Sequence, residues 1–197
     1  MIKLIIQSIR QKVVWILVCG VLYPLAITAI AQLGFHDRAN GSLVERGGQI
    51  VGSELIAQQF TGAEYFWPRP SAATYGTGPS GIAGSSGSNL GPTSAQLQTN
   101  VRNNAKALRE AHKLPADAPV PADLVFASAS GLDPHISPEA ARFQVARVAA
   151  ARGMGEEQVK ALLEKFVEPP QWGFLGEARV NVLMLNLALD AAAVKKS

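Results

Sequence analysis

The residues of this chain best suited to chemistry are Asp133-Pro134-His135, with Ser128 and Ser130 a few positions upstream. A carboxylate that orients an imidazole, and an imidazole that takes a proton from a hydroxyl, are the parts of a nucleophilic hydrolase. The spacing therefore admits a membrane-anchored Ser/His/Asp hydrolase built around Asp133 and His135. Neither serine lies in the Gly-x-Ser-x-Gly turn that exposes such a nucleophile, and Asp and His ahead of a helix start commonly shape turns. The reading adopted is structural, with no catalytic residue assigned. Gly76-Thr77-Gly78-Pro79-Ser80-Gly81 satisfies the dinucleotide pattern Gly-x-Gly-x-x-Gly, yet no strand pattern precedes it and a second Gly/Ser-rich stretch follows where a helix should begin. It reads as a plain loop. No Walker-type phosphate loop and no phosphorylatable Asp-Lys-Thr-Gly occurs, so the sequence lacks the parts to hydrolyse ATP alone. His36, His112 and His135 have no His or Glu at a metal-binding helical spacing, and no metal is expected. The single cysteine, Cys19, excludes an intrachain disulfide and a four-cysteine zinc site.

The elements that would carry these residues begin with an apolar run. Residues 13 to 33 contain no charge, and 21 helical residues span about 31 Å, the thickness of a bilayer core. A cleaved signal peptide is the alternative, but this run is longer than a signal core and holds Trp15, Tyr23 and Pro24. A retained transmembrane helix is expected. Lys3, Arg10 and Lys12 precede it in a basic segment, residues 1 to 12, against Arg38 and Arg46 shortly after, which places the N terminus in the cytoplasm and residues 34 to 197 outside. Those three residues also account for the whole formal charge of +3; the rest is balanced, which disfavours a nucleic-acid partner. Gly20, Pro24, Ile27 and Ala31 fall near one stripe, open to either a partner helix or a kinked, lipid-facing helix.

Beyond the span the pattern predicts one mixed α+β domain. Gly47-Gly48 between short apolar-bearing runs reads as a hairpin over 43–51, and Ser53 as the cap of a short helix beginning at Glu54. Tyr65-Phe66-Trp67-Pro68-Arg69-Pro70 is stiff and non-helical, either an edge strand on the core or a surface for a partner. From Pro70 to Val101 no residue is charged, and 76–91 is dominated by Gly and Ser, read as a long loop within the one domain. Helices are predicted near 94–112, 138–152 and 156–167; Ser137-Pro138-Glu139 is a strong start signal. In the tail, Leu183, Leu185, Leu187 and Leu189 alternate as in a strand while Asn181 is suited to capping a helix; strand is slightly preferred, packed in the core.

Five ordered strings then give a resemblance: Tyr65 to Ser71, Gly87 to Thr93, Ser130 to Pro138, Gln144 to Ala149 with Arg152-Gly153, and Gly173 to Leu183. Together they resemble the C subunits of bacterial Kdp potassium-transporting ATPases, almost end to end. The resemblance implies an accessory, non-catalytic subunit in the inner membrane, assembled with a channel-like potassium-pore subunit and a P-type ATPase subunit, and in contact with membrane lipid. It also implies a role in raising the nucleotide affinity of the ATPase chain, with ATP as a cofactor by resemblance alone. That clashes with the topology, since an outer domain cannot reach cytoplasmic ATP. The absence of a Thr-Val-Gly-Tyr-Gly filter agrees with an accessory role. Candidate partner contacts are Tyr65, Phe66, Trp67, Arg69, Asn89, Asp133 and His135.

Overall fold

The computed structural model of the protein describes residues 1–73 and 84–194. The Gly76–Gly81 motif therefore lies outside the described residues, as do the rest of the first half of loop 76–91 and the last three residues. The chain divides into two units, the first Met1–Leu43 and the second from Val44 onward.

In the first unit one helix runs without a break from Ile2 to Gly34, and it is long and apolar enough to cross a membrane. It begins well before residue 13 because Ile2, Leu4, Ile5, Ile6 and Ile9 extend the apolar, helix-compatible pattern around the early basic residues. Two α-helical parts, α1 (Ile2–Leu17) and α2 (Tyr23–Gly34), are joined by a π-helical turn over Val18–Leu22. Pro24 is the physical cause: it cannot donate to the Gly20 carbonyl, and its ring crowds that carbonyl. The widened turn absorbs the conflict, with the Tyr23 N–H reaching back to the Val18 carbonyl. After α2, a single turn, α3 (His36–Ala39), is tied back by Asn40, whose amide donates to Gln32 Oε1 at 3.1 Å.

The second unit is mixed α+β, as the sequence predicts. Strands β1 (Leu43–Arg46) and β2 (Gln49–Ser53) form the expected hairpin, with Gly47 and Gly48 at φ +62° and +79° supplying the positive-φ turn. Ser53 does not start a helix. Its hydroxyl accepts the Leu55 N–H at 3.1 Å in a turn, and Ala57 N–H then leaves for the Leu132 carbonyl at 3.0 Å, so the chain is drawn off before a second helical bond forms.

Helices α4 (Ala95–Ala111), α5 (Pro138–Arg152) and α6 (Glu156–Glu164) each bury a face in the core. Ser94 and Ser137 cap the first two through their hydroxyls, at 3.4 Å to Leu97 N and 3.0 Å to Ala140 N. Gly153 ends α5 in the left-handed conformation, φ +61°. Helix α6 is shorter than predicted, because Val167 leaves it to pair with Val180 across a three-stranded antiparallel sheet. That sheet has the order β3 (His135–Ile136), β5 (Arg179–Asn181), β4 (Val167–Glu168).

The tail overturns the strand preference. Only Arg179–Asn181 is strand; α7 runs over Val182–Val194. Val182, Leu185, Asn186 and Leu189 are buried at i, i+3, i+4 and i+7, a helical face that the Leu alternation disguised. Asn181 caps the helix, its Oδ1 accepting Met184 N–H at 3.2 Å. With Phe66, Val148, Val159, Leu163 and Val180, these residues build one continuous core.

Candidate functional site

The segment Tyr65–Pro70 is neither an edge strand nor a free surface. Its backbone polar groups are taken up by two buried side-chain amides on different helices. Asn186 of α7, 1% exposed, accepts the Phe66 N–H at 2.8 Å through Oδ1 and donates to the Phe66 carbonyl at 3.0 Å. Gln144 of α5, fully buried, treats Trp67 the same way at 2.8 and 3.1 Å. Each amide imitates a neighbouring strand, which satisfies buried backbone groups that would otherwise be orphaned. Phe66 is thereby sunk in the core at 0% exposure, so its side chain has no surface to offer a partner, contrary to the expectation from sequence.

Arg147, one turn after Gln144 on α5, completes the clamp. Its guanidinium donates to the Ala63 carbonyl at 2.6 Å, the Tyr65 carbonyl at 3.0 Å and Gln144 Oε1 at 2.6 Å, and it stacks 4.0 Å from the Trp67 ring centroid. Burial lowers its pKa to about 10, with Glu64 opposing the shift, so it stays charged at neutral pH. Its Nε also donates to His112 Nε2 at 3.2 Å, which puts the ring proton on Nδ1. Burial, and then the charge of Arg147, push the His112 pKa down to about 4. Unfolded His112 protonates near 6.5, so between these values the unfolded chain binds the extra proton and stability is lost as pH falls. We expect a loss of about 1–2 kcal/mol over that window, after discounting for solvent around a partly buried ring. Denaturant titrations at pH 7 and pH 4.5 check this, and His112→Gln, which keeps an acceptor for Arg147, should remove its part of the slope.

Tyr65 lies at the rim of this clamp. Its ring sits 4.9 Å from the Arg152 guanidinium, and its hydroxyl is 3.5 Å from Asp190, which in turn pairs with Arg152 at 2.9 Å and Arg46 at 3.1 Å. Trp67 is partly buried, with Nε1 donating to the Gly62 carbonyl at 2.8 Å.

The structure brings Arg69, Asp133 and His135 together in a second cluster. Arg69 Nη1 is 3.0 Å from Asp133 Oδ2; the other carboxylate oxygen accepts the His135 N–H at 3.0 Å and lies 3.6 Å from His135 Nδ1. The adjacent His135 ring and N–H, together with Arg69, hold the Asp133 carboxyl below its ordinary range, while partial burial pulls the other way. Arg69 Nε is buried without a hydrogen-bond partner among the described residues. The serines needed for hydrolysis are engaged elsewhere: Ser128 Oγ accepts Gly131 N–H at 3.3 Å, Ser130 Oγ accepts Leu132 N–H at 3.1 Å, and the two hydroxyls meet at 3.1 Å. Among the described residues no serine hydroxyl is shown bonded to His135, and Asp133 shapes the turn there by accepting the His135 N–H at 3.0 Å.

A cleft of about 540 Å³ beside this cluster sets Asp123, Asp133, Glu139 and Glu177 against Arg69 and Arg179. Four carboxylates facing two guanidinium groups do not fit the triphosphate of ATP. Among the described residues no three His, Cys, Asp or Glu side chains gather as a metal site. Asn89 is exposed in the left-handed region, φ +51°, as a turn residue. Gly20, Pro24 and Ile27 are exposed along the long helix and Ala31 is partly so; a Cβ on Gly20 would meet only Ile16, at 3.9 Å.

Residues 5–191 match the family described as K+-transporting ATPase, c chain (KdpC). The chain belongs to the KdpC family. Relatives agree over nearly the full length. A potassium-transporting ATPase KdpC subunit of Myxococcus xanthus is 54% identical over 191 residues, covering 96% of this chain and 89% of the relative. The KdpC subunit of Rhodospirillum rubrum is 57% identical over 176 residues, covering 88% of each chain. That of Mycobacterium tuberculosis is 49% identical over 186 residues, covering 94% and 97%. All five strings that carried the resemblance fall inside the matched range.

Sequence reasoning missed the two clamping amides and the role of Arg147. The available signal was a polar residue inside a buried helical face: Asn186 among the leucines of α7, and Gln144 and Arg147 among the alanines and valines of α5.

Proposed function

We propose that this chain is the accessory, non-catalytic subunit of an ATP-driven potassium uptake pump, which it holds together with a channel-like pore subunit and a P-type ATPase subunit. The observation that carries this is the family match over residues 5–191 in a chain with one N-terminal helix apolar enough to span a membrane. In this reading the protein is a single-pass subunit of the bacterial inner membrane. Lys3, Arg10 and Lys12 keep the N terminus in the cytoplasm, and the α+β unit stands in the periplasm near the mouth of the pore. The long helix packs beside partner helices and lipid, with Gly20, Pro24, Ile27 and Ala31 as its closest-approach stripe. On the outer unit the contact candidates are the accessible edges of Tyr65, Trp67 and Arg69, with Asn89, Asp133 and His135. Any rise in the nucleotide affinity of the ATPase subunit comes through assembly rather than through ATP held by this chain, consistent with the acidic cleft and the topology.

Two measurements test the proposal. Alkaline phosphatase fused at the C-terminal end should be active, whereas fluorescence from a cytoplasm-only green fluorescent fusion would overturn the topology. Detergent pull-down should recover the pore and ATPase subunits in fixed ratio, and His135→Ala should change yield or stability without deleting a chemical step. A chain that purifies alone and loses a hydrolytic activity in His135→Ala would overturn the subunit assignment.

A further inference from the structure

The N-terminal half of the long helix carries a groove of its own. Its first part is lined by Ser8, Gln11, Lys12 and Trp15, and its second by Ile16, Cys19 and Gly20. Ser8, Lys12, Trp15 and Cys19 follow at i, i+4, i+7 and i+11, so they share one face of the helix. Gly20 leaves the floor open, since a Cβ there would meet only Ile16, at 3.9 Å. Ser8, Gln11, Lys12 and Trp15 are exposed, and among the described residues none of these side chains has a hydrogen-bond or ionic partner.

Along this groove the chemistry changes in the order found in a single phospholipid. Ser8, Gln11 and Lys12 precede the uncharged run that opens at Val13, which puts them at headgroup level. Trp15 follows with the amphipathic ring that favours a membrane interface, and Ile16, Cys19 and Gly20 then lie at hydrocarbon depth. The twelve residues from Ser8 to Gly20 rise about 18 Å, against about 15 Å for the hydrocarbon of one leaflet. The sign of the charge selects the headgroup. No acidic residue occurs before Asp37, so Lys12 has no counter-ion on this helix, and Lys3 and Arg10, on the opposite face, add to the same positive field. A zwitterionic headgroup would bring its own cation beside Lys12, whereas a phosphatidylglycerol phosphate would not. A twofold pair of this chain on the same face would set Lys12 against Lys12.

We propose that this groove is a site for one anionic phospholipid of the cytoplasmic leaflet, with its phosphate on Lys12, Ser8 and Gln11 and an acyl chain lying over Cys19 and Gly20. This rests on the membrane-spanning topology proposed above. The test places the full chain in nanodiscs of phosphatidylglycerol and phosphatidylcholine in equal amounts and counts, by native mass spectrometry, the lipids that the chain retains. One phosphatidylglycerol should be kept in preference to phosphatidylcholine. Lys12→Gln should reduce that preference about fivefold, the contribution of one cation at an anionic lipid surface. Lys3→Gln with Arg10→Gln, which leaves the groove intact, should keep most of it. Gly20→Leu, which fills the floor without altering any charge, should lower retention of the lipid. Equal retention of the two lipids overturns the proposal, as does retention unchanged by Gly20→Leu. A loss in the Lys3 and Arg10 variant as large as that in Lys12→Gln also overturns it, because a diffuse field would then suffice. A chain that does not enter the nanodisc defeats the spanning helix and the groove together, whereas a chain that enters and shows no preference defeats the groove alone. The leaflet is read by the C-terminal fusions, and a cytoplasmic C-terminal end would overturn its assignment.

Discussion

Asn186→Ala should lower the melting temperature of the full chain's outer unit by about 10 °C, through a loss of about 3–4 kcal/mol. The amide is 1% exposed and serves both the N–H and the carbonyl of Phe66, so its removal strands two buried backbone groups and leaves a small void. Gln144→Ala should do similar damage at Trp67. The two amides hold consecutive residues of one segment, so the double variant should cost less than the sum. Differential scanning calorimetry in detergent measures all three. A drop under 1 kcal/mol for Asn186→Ala would show that water or rearrangement satisfies Phe66, and that the segment is not held as described.

The second large effect is expected at Arg147. Arg147→Ala removes donors to two carbonyls, to Gln144 and to His112, together with the stack on Trp67, for a loss of about 2–4 kcal/mol. Arg147→Lys should rescue little of it, since one ammonium cannot reproduce a planar fork serving several acceptors. The variant also carries a signature that simple destabilisation does not. With the neighbouring positive charge gone, the His112 pKa should rise from about 4 towards its ordinary value, short of it because burial persists. Histidine proton shifts followed by NMR across pH 3–8 would read this, and an unmoved pKa would refute the coupling.

Much was legible in the sequence where local chemistry decides local structure. Ser137-Pro138-Glu139 and Gly153 bound α5 because capping and backbone freedom act over a few residues. Gly47-Gly48 made the hairpin for the same reason. The uncharged run before Gly34 announced a helix apolar enough for a membrane, since hydropathy over 21 residues needs no partner to be read. The five strings placed the chain in its family because long ordered matches outlast local differences.

Where two local signals competed, only the tertiary structure decided. The leucines of the tail fit a period of two as well as a helix, and burial of Val182, Leu185, Asn186 and Leu189 against one core chose the helix. Val167 left α6 because Val180 offered a strand partner, a long-range pairing that no window contains. The aromatic segment shows the limit most sharply. Its types announced large contact area, but whether Phe66 faces a partner or the core depended on Asn186, 120 positions away, reaching its backbone. Sequence by itself determined a helix apolar enough to span a membrane, both ends of α5, the hairpin and the family. Packing determined which polar residues became internal clamps, because a hydrogen bond between distant residues exists only once the core has brought them together.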